Sequence, residues 1–340
     1  MASATLKSAL QKIAGGAALS EDEMRDALEA MTAGQATPVQ MGAFLMGLRV
    51  RGEAVAEITA AAKLMRAKML RVAAPAGAVD IAGTGGDGLN TYNVSTCAAL
   101  VAAGAGLKIA KHGNRSVSSL SGSSDVLNAL GVTLDGSAST VERCIEKAGV
   151  GFLWAPLYHP AMKVWAPVRA ELGVRSIFNL LGPLTNPAGV TRQVVGVFAP
   201  QWVEPIAHVL KNLGSEHAWV VHGHDGLDEL STTGPTSVAE LRDGDITLFE
   251  VTPEDAGLPR TSLTDLKGGD AAVNAAALRD VLAGKPGAYR DIVLLNTAAA
   301  LVTGGKAASL ADGVDRAAHA IGSGAAAKAL EQLIELSGRG

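Results

Sequence analysis

As far as Val72, apolar positions recur at the three-to-four-residue spacing of amphipathic helices. Leu19, Met24, Ala27, Leu28 and Met31 form one stripe, and Ser20 with Glu23 supplies a capping box at its start. Thr37-Pro38 marks a second start, with proline at the first helical position. The helix it opens carries Met41, Phe44, Leu45, Met46 and Leu48 and stops at Gly52. That is more apolar than one buried face requires, so this helix either meets a second subunit or lies at the centre of its own bundle.

Ala73-Ala74-Pro75-Ala76-Gly77 breaks that rhythm. Short strand-like runs at 79–82, 107–110, 151–154, 193–198 and 218–222 then alternate with helical patterns. Such alternation predicts a mainly parallel sheet with helices on its faces. Runs 238–242 and 246–251, joined by Asp243-Gly244-Asp245, read as a hairpin at the sheet edge, and from Asp270 the chain is helical and alanine-rich. A helical excursion at 160–181 interrupts the alternation and ends in the rigid turn Gly182-Pro183-Leu184-Thr185-Asn186-Pro187. The expected division is a helical domain at 1–73, an excursion at about 160–190 packing back on it, and an α/β domain at 74–340, with a cleft between.

The 340 residues are 48% hydrophobic but only 4% aromatic, enough for one large or two modest cores built from Ala, Val and Leu. A net charge of −4 gives no general basic field, which argues against nucleic-acid binding. The two cysteines, Cys97 and Cys144, sit in apolar helical patterns without metal or redox spacing. Lys7 and Lys12 break any leader-like apolar run, and no stretch is long enough to span a bilayer. These features predict a cytoplasmic protein.

Three loops after strand-like runs carry the chemistry. The first is Gly83-Thr84-Gly85-Gly86-Asp87-Gly88, leading to a helix predicted from Asn93. Glycines let an anion approach the backbone, and a helix start offers unpaired N–H groups at the positive end of its dipole. Ser95 and Thr96 add hydroxyls, so the stretch reads as a phosphate cradle. Gly83, Gly85 and Gly88 also satisfy the dinucleotide pattern G-x-G-x-x-G. Against that, Asp87 puts a carboxylate where pyrophosphate should lie. The next strand also ends in Lys111-His112, not in the acidic residue expected about 20 positions on.

The second loop is Lys111-His112-Gly113-Asn114-Arg115-Ser116-Val117-Ser118-Ser119, continued by Ser121-Gly122-Ser123-Ser124 and a helix from Asp125 to Leu130. Its cations and hydroxyls suit a multiply charged phosphate, each charged hydrogen bond contributing roughly 1.5–3 kcal/mol. The third, His222-Gly223-His224-Asp225-Gly226-Leu227-Asp228-Glu229, ends in two adjacent carboxylates that can serve one or two hard cations, magnesium above all. His222-x-His224 also admits zinc, although no third ligand follows at a matching spacing. Taken singly, each loop also reads as a structural or solvated turn. Together they say polyphosphate plus divalent cation. The absence of G-x-x-x-x-G-K-[ST] removes the Walker-type ATPases and kinases.

These stretches, with His159-Pro160-Ala161-Met162, Arg169, the 182–187 turn and Gly268-Gly269-Asp270, resemble the ordered signature of the anthranilate phosphoribosyltransferases over nearly the whole chain. The resemblance implies a small all-helical domain plus a large α/β domain with a mainly parallel sheet, the architecture of the pyrimidine nucleoside phosphorylases. It implies Mg2+-dependent transfer of the 5-phosphoribosyl group from phosphoribosyl diphosphate to anthranilate in tryptophan biosynthesis. Two Mg2+ ions and a homodimer through the helical domain are further expectations of the same kind. Carried over residue by residue, phosphoribosyl diphosphate falls to Gly83, Gly86, Asp87, Thr91, Asn93, Val94, Ser95, Thr96, Lys111, His112, Gly113, Asn114, Arg115, Ser116, Val117, Ser118, Ser119 and Ser123. Ser95, Asp228 and Glu229 would hold Mg2+; Gly83, Asn114 and Arg169 would position anthranilate, with His112 and His159 nearby. Lys111, His112 and Arg169 are the expected catalytic residues.

In this reading Lys111 and the helix start at Asn93 stabilise the charge that grows on departing diphosphate. Arg169 pairs with the anthranilate carboxylate; its plainer role is a surface ion pair with Glu171 or Glu142, worth about 0–1 kcal/mol. No strong general base is visible. Three rivals remain. A nucleoside phosphorylase of the same fold would have no use for Asp228-Glu229, and a nucleic-acid-binding relative would not be net acidic. A transferase acting on another aromatic amine is the one that sequence separates worst.

Overall fold

The computed structural model describes residues 2–115 and 120–338, so Ser116, Val117, Ser118 and Ser119 of the second loop lie outside the described residues. Four helices come first, at Ala2–Ala14, Glu21–Thr32, Pro38–Arg51 and Val55–Lys68. Both predicted starts carry full capping boxes, Ser20 with Glu23 and Thr37 with Gln40. Met24, Leu28, Met31, Phe44, Leu45 and Leu48 are buried together. Glu57, fully buried, pins the bundle: it accepts the N–H groups of Leu19 and Ala54, both at 2.8 Å, and pairs with Arg51.

The seven-stranded sheet comprises β1 (Val79–Gly83), β2 (Ile109–Gly113), β3 (Val150–Trp154), β4 (Arg192–Gly196), β5 (His217–Gly223), β6 (Thr236–Arg242) and β7 (Asp245–Val251). Its order is β3-β2-β1-β4-β5-β6-β7. The first five strands run parallel, and β6 and β7 close one edge as an antiparallel hairpin. The hairpin turns at Asp243 and Gly244, both with positive φ (52° and 90°), the two-residue turn that matches strand twist. Helices including Val94–Gly104 and Ala288–Thr303 cover one face. Helix Val203–Asn212 and the N-terminal bundle share a core on the other.

The strand order reverses at the β1/β4 boundary, where ligands of open parallel sheets bind beyond the strands' C-terminal ends. The glycine loop leaves β1 there, Asn114 and Arg115 follow β2, and the acidic loop follows β5. Between β3 and β4 the chain makes its excursion over the bundle. Trp165, fully buried, packs at a tilt against Phe178, with ring centroids 4.8 Å apart, and donates from Nε1 to Thr32 Oγ1 at 3.3 Å. Arg66, from the last bundle helix, donates to the Leu184 and Leu213 carbonyls at 2.7 and 3.3 Å, tying bundle, turn and α/β layer together.

Local boundaries differ from expectation in three places. Lys111 and His112 lie inside β2 rather than beyond it, because Lys111 Nζ finds the Ile81 carbonyl on the neighbouring strand at 2.6 Å. Counting the short helix Ala155–Tyr158 just ahead of it, the expected single helix at 160–181 gives way to four pieces, the others being a 3-10 turn at Pro160–Val164, Ala166–Leu172 and Ile177–Leu181. Pro160 and Pro167 permit only helix starts, and Gly173 ends the third piece in a left-handed conformation. The helix of the second loop runs Ser123–Ala129, with Asp125 inside its first turn taking the Gly122 N–H at 2.9 Å.

Candidate active site

The glycine loop is shaped around a carboxylate from the third loop. Asp228 Oδ2 accepts the Gly85 N–H at 2.6 Å. A Cβ on Gly83 would overlap that carboxylate, so only glycine lets the acidic loop approach so closely. Helix Val94–Gly104 begins after Asn93, yet Asn93 does not cap it with its side chain. Its Nδ2 donates to the Ser121 carbonyl at 3.1 Å, and its Oδ1 accepts from Asn274 Nδ2 at 2.9 Å. Asn274 also takes the Gly269 N–H at 2.8 Å, so the Gly268-Gly269-Asp270 stretch braces the helix start. Glu229 fills the capping role instead, accepting the Ser95 N–H at 3.2 Å. Thr91 bridges to Lys267, and Tyr92 stacks on Tyr289 at 4.3 Å. Among the described residues, none is hydrogen-bonded to the buried Thr96 Oγ1 on the first turn.

Both acidic side chains thus sit on donors suited to an anion. Burial, and then Asp87, raises the Asp228 carboxyl to about 6. Burial raises Glu229 as well, with Asp228 adding repulsion, and burial raises Asp87. Crowded carboxylates of this kind are relieved by a divalent cation. Asp228, Glu229 and the nearby Ser95 hydroxyl offer oxygen ligands of the kind Mg2+ uses, the remainder coming from water and phosphate. Among the described residues no His/Cys/Asp/Glu group of three or more is poised as a metal cage. The zinc reading of His222 and His224 finds no support: His222 Nδ1 donates to the Val197 carbonyl at 2.7 Å, and His224 is exposed. Asp225 holds the loop's shape, accepting from Ser231 Oγ and Thr233 Oγ1 at 2.6 Å each.

Lys111, buried in β2, donates to the Ile81 carbonyl at 2.6 Å and to Ser95 Oγ at 3.2 Å. Burial lowers its pKa, opposed by the charges of Asp80, Glu229 and Asp228. Asp80, wholly buried on β1, is raised to about 6 by burial and accepts from the His112 N–H (3.1 Å) and Asn186 Nδ2 (2.7 Å). His112 Nδ1 lies 3.0 Å from the Gly182 carbonyl and its Nε2 lies 3.2 Å from His159 Nε2. With Gly182 O as acceptor, Nδ1 of His112 carries the proton, and its Nε2 accepts from His159. Burial first, and for His112 the neighbouring His159, depress these rings to about 3 and about 4, so both are neutral.

Gly113 ends β2 and Val94 opens the helix. Asn114 and Arg115 are exposed, with Arg115 over the Trp154 ring at 5.5 Å, and Ser123 begins its short helix. Arg169 lies over Phe178, 5.2 Å from the ring centroid. It makes neither predicted surface pair: Glu142 takes the Ala73 N–H at 2.7 Å, and no ion pair among the described residues involves Arg169. The structure therefore gathers Gly83, Asp87, Asn93, Ser95, Thr96, Lys111, Asp228 and Glu229 around one cradle, with His112 and His159 paired behind it. Asp80 and Arg175 join this environment without having been singled out, and Asn186 had been quoted only as part of the 182–187 turn. A charged residue amid the apolar run at 79–82 was the available signal for Asp80.

Comparisons with known proteins place nearly the whole chain within one family. Residues 7–69 match the helical bundle domain, and residues 76–327 the a/b domain, of the glycosyl transferase family. The anthranilate phosphoribosyltransferase of Rhodopseudomonas palustris (strain BisB18) is 63% identical over 97% of this chain and 98% of its own. The crystal structure of the Thermus thermophilus enzyme of that name superposes with a TM-score of 0.91 at 45% identity, covering 97% of this chain and 99% of that one. The Saccharomyces cerevisiae enzyme, solved in complex with PRPP and Mg, superposes at 0.90 with 32% identity, covering 99% and 98%.

Proposed function

The chain belongs to the anthranilate phosphoribosyltransferase family, and we propose that its glycine-loop cleft is where the 5-phosphoribosyl group passes from phosphoribosyl diphosphate to the amine of anthranilate. The transfer releases diphosphate and serves tryptophan biosynthesis. The observation that carries the site assignment is the seating of Asp228 on Gly85 N–H and Glu229 on Ser95 N–H, which joins a cation's ligands to an anion's cradle. The residues that would hold Mg2+ are Asp228, Glu229 and Ser95, and when bound it supplies charge neutralisation for the diphosphate.

Gly83, Gly86, Thr91 and the turn Asn93-Val94-Ser95-Thr96 line the cradle, and the buried Thr96 hydroxyl is a donor awaiting an acceptor. Lys111 places a fixed cation where negative charge grows in the transition state, a contribution that needs no reorganisation in a dry site. The neutral His112–His159 pair and Asn114 border the amine's approach. Arg169, its plane set by Phe178, offers a fork to the anthranilate carboxylate. The two-ion count, a homodimer through helix Pro38–Arg51 and a cytoplasmic setting complete the proposal. Among the described residues, no helix is long and apolar enough to cross a membrane.

The test is Asp228→Asn combined with Glu229→Gln. Phosphoribosyl transfer should fall by about a hundredfold or more, since several charged contacts of roughly 1.5–3 kcal/mol are lost, while the thermal midpoint holds or rises. Parent-like turnover of the double variant at limiting Mg2+ would remove the metal assignment.

A further inference from the structure

We propose that Arg175 is a further substrate-binding residue, contacting an oxyanion of phosphoribosyl diphosphate from across the cleft; this rests on the functional reading above. Arg175 stands between helices Ala166–Leu172 and Ile177–Leu181, on the excursion that packs against the bundle. Its guanidinium lies 4.4 Å from the centroid of the Phe198 ring. Phe198 is itself tied to the glycine loop, its N–H donating to Thr84 Oγ1 at 3.0 Å. The guanidinium also lies beside Gly86, where an added Cβ would be 3.1 Å from Nη2. One side chain thus reaches from the helical layer to the first loop of the sheet.

Stacking fixes the plane of a guanidinium and leaves its edge open. Among the described residues, no hydrogen bond or ion pair engages the N–H donors of Arg175. Its charge also acts on Asp87 and Asp228, lowering both carboxyls against the larger effect of burial. A pinned cation with open in-plane donors, beside the backbone N–H groups of a glycine loop, is suited to phosphate oxygens. The chain has only five phenylalanines and four tryptophans, yet three of these rings carry a guanidinium: Trp154, Phe178 and Phe198. The resemblance already assigns Arg115 and Arg169 to substrates, and Arg175 repeats their construction.

The neighbours decide which substrate it meets. Gly86, Asp87 and Asp228 belong to the phosphate and cation side, whereas Arg169 stands on Phe178. Arg175 also repels any cation held by the same carboxylates. Removing it should therefore act in opposite directions on the anion and on the free metal ion, which loss of packing would not do.

Calorimetric titrations of inorganic diphosphate with Mg2+, and of Mg2+ alone, into parent, Arg175→Gln and Arg175→Lys proteins test this, with KM values for both substrates. Arg175→Gln should weaken diphosphate by about tenfold to a hundredfold, and Arg175→Lys by less. Mg2+ alone should bind as tightly as to the parent or tighter, and the anthranilate KM should move by less than about threefold. Unchanged diphosphate affinity with a raised anthranilate KM would overturn the proposal in favour of carboxylate recognition. Parallel losses of diphosphate, Mg2+ and thermal midpoint in both variants would also overturn it, reducing Arg175 to packing. A parent that binds diphosphate but makes no phosphoribosyl-anthranilate would refute the functional reading alone, since the diphosphate titrations still decide Arg175.

Discussion

Two neutral imidazoles face one another where the cleft meets the 182–187 turn, and their state is set first by burial. His112 and His159 are depressed to about 3 and about 4 from an ordinary 6.5, by burial first. The sign follows directly. Below 6.5 the unfolded chain takes up protons that the folded pair refuses, so their stabilisation is complete above 6.5 and is lost as pH falls toward about 4. Asp80 and Asp228, raised to about 6, act in the opposite sense over part of that window, so the parent's own curve mixes the two. His159→Gln keeps a donor for His112 and removes one of the two imidazoles. Its thermal midpoint should fall less steeply with acid than the parent's by about one proton's worth of slope. Parallel curves for the two proteins would mean that His159 does not stay neutral in the fold.

At the scale of elements, the glycine loop works because the acidic loop from β5 can touch it. Gly83→Ala would drive a Cβ into the Asp228 carboxylate and lift it from Gly85 N–H. Transfer should drop by about tenfold to a hundredfold, the range for one lost charged hydrogen bond, with the circular dichroism spectrum retained. A parent-like rate would show that this contact is dispensable. Much of this cradle was legible in the chain, because glycine runs, helix starts and paired carboxylates are local signals. The partners of those residues were not. Asp80 meets Asn186 across 106 positions, and Asn274 meets Asn93 across 181, distances that no local pattern encodes. Lys111 was expected at a strand's exit, as a basic end for a phosphate, but it lies within β2, where a carbonyl on the adjacent strand offsets the cost of burying a lysine. Asn93 signalled a helix cap by residue type alone, while tertiary contacts turned its side chain away. Arg175 carried no signal, since its meaning depends on a ring and a loop brought to it by folding.

For the whole molecule, the proposed homodimer would form through the helical layer, and its test falls on the exposed apolar residues there. Val39 and Val50, on helix Pro38–Arg51, are 81% and 80% exposed. Val39→Lys with Val50→Lys should halve the mass measured by light scattering at micromolar concentration, without loss of helix content. An unchanged mass would place any interface elsewhere. The central claim, that this cleft joins phosphoribosyl diphosphate to anthranilate and reads its carboxylate, is tested most directly by a cycle of two enzymes and two amines. Parent and Arg169→Ala would each be given phosphoribosyl diphosphate, Mg2+ and either anthranilate or aniline, with both products quantified by mass. The parent should make phosphoribosyl-anthranilate and equimolar diphosphate, and should use aniline poorly. Arg169→Ala should lose about tenfold to a hundredfold in kcat/KM for anthranilate, and little further for aniline. No turnover by the parent, or equal losses for the two amines on mutation, would contradict the account.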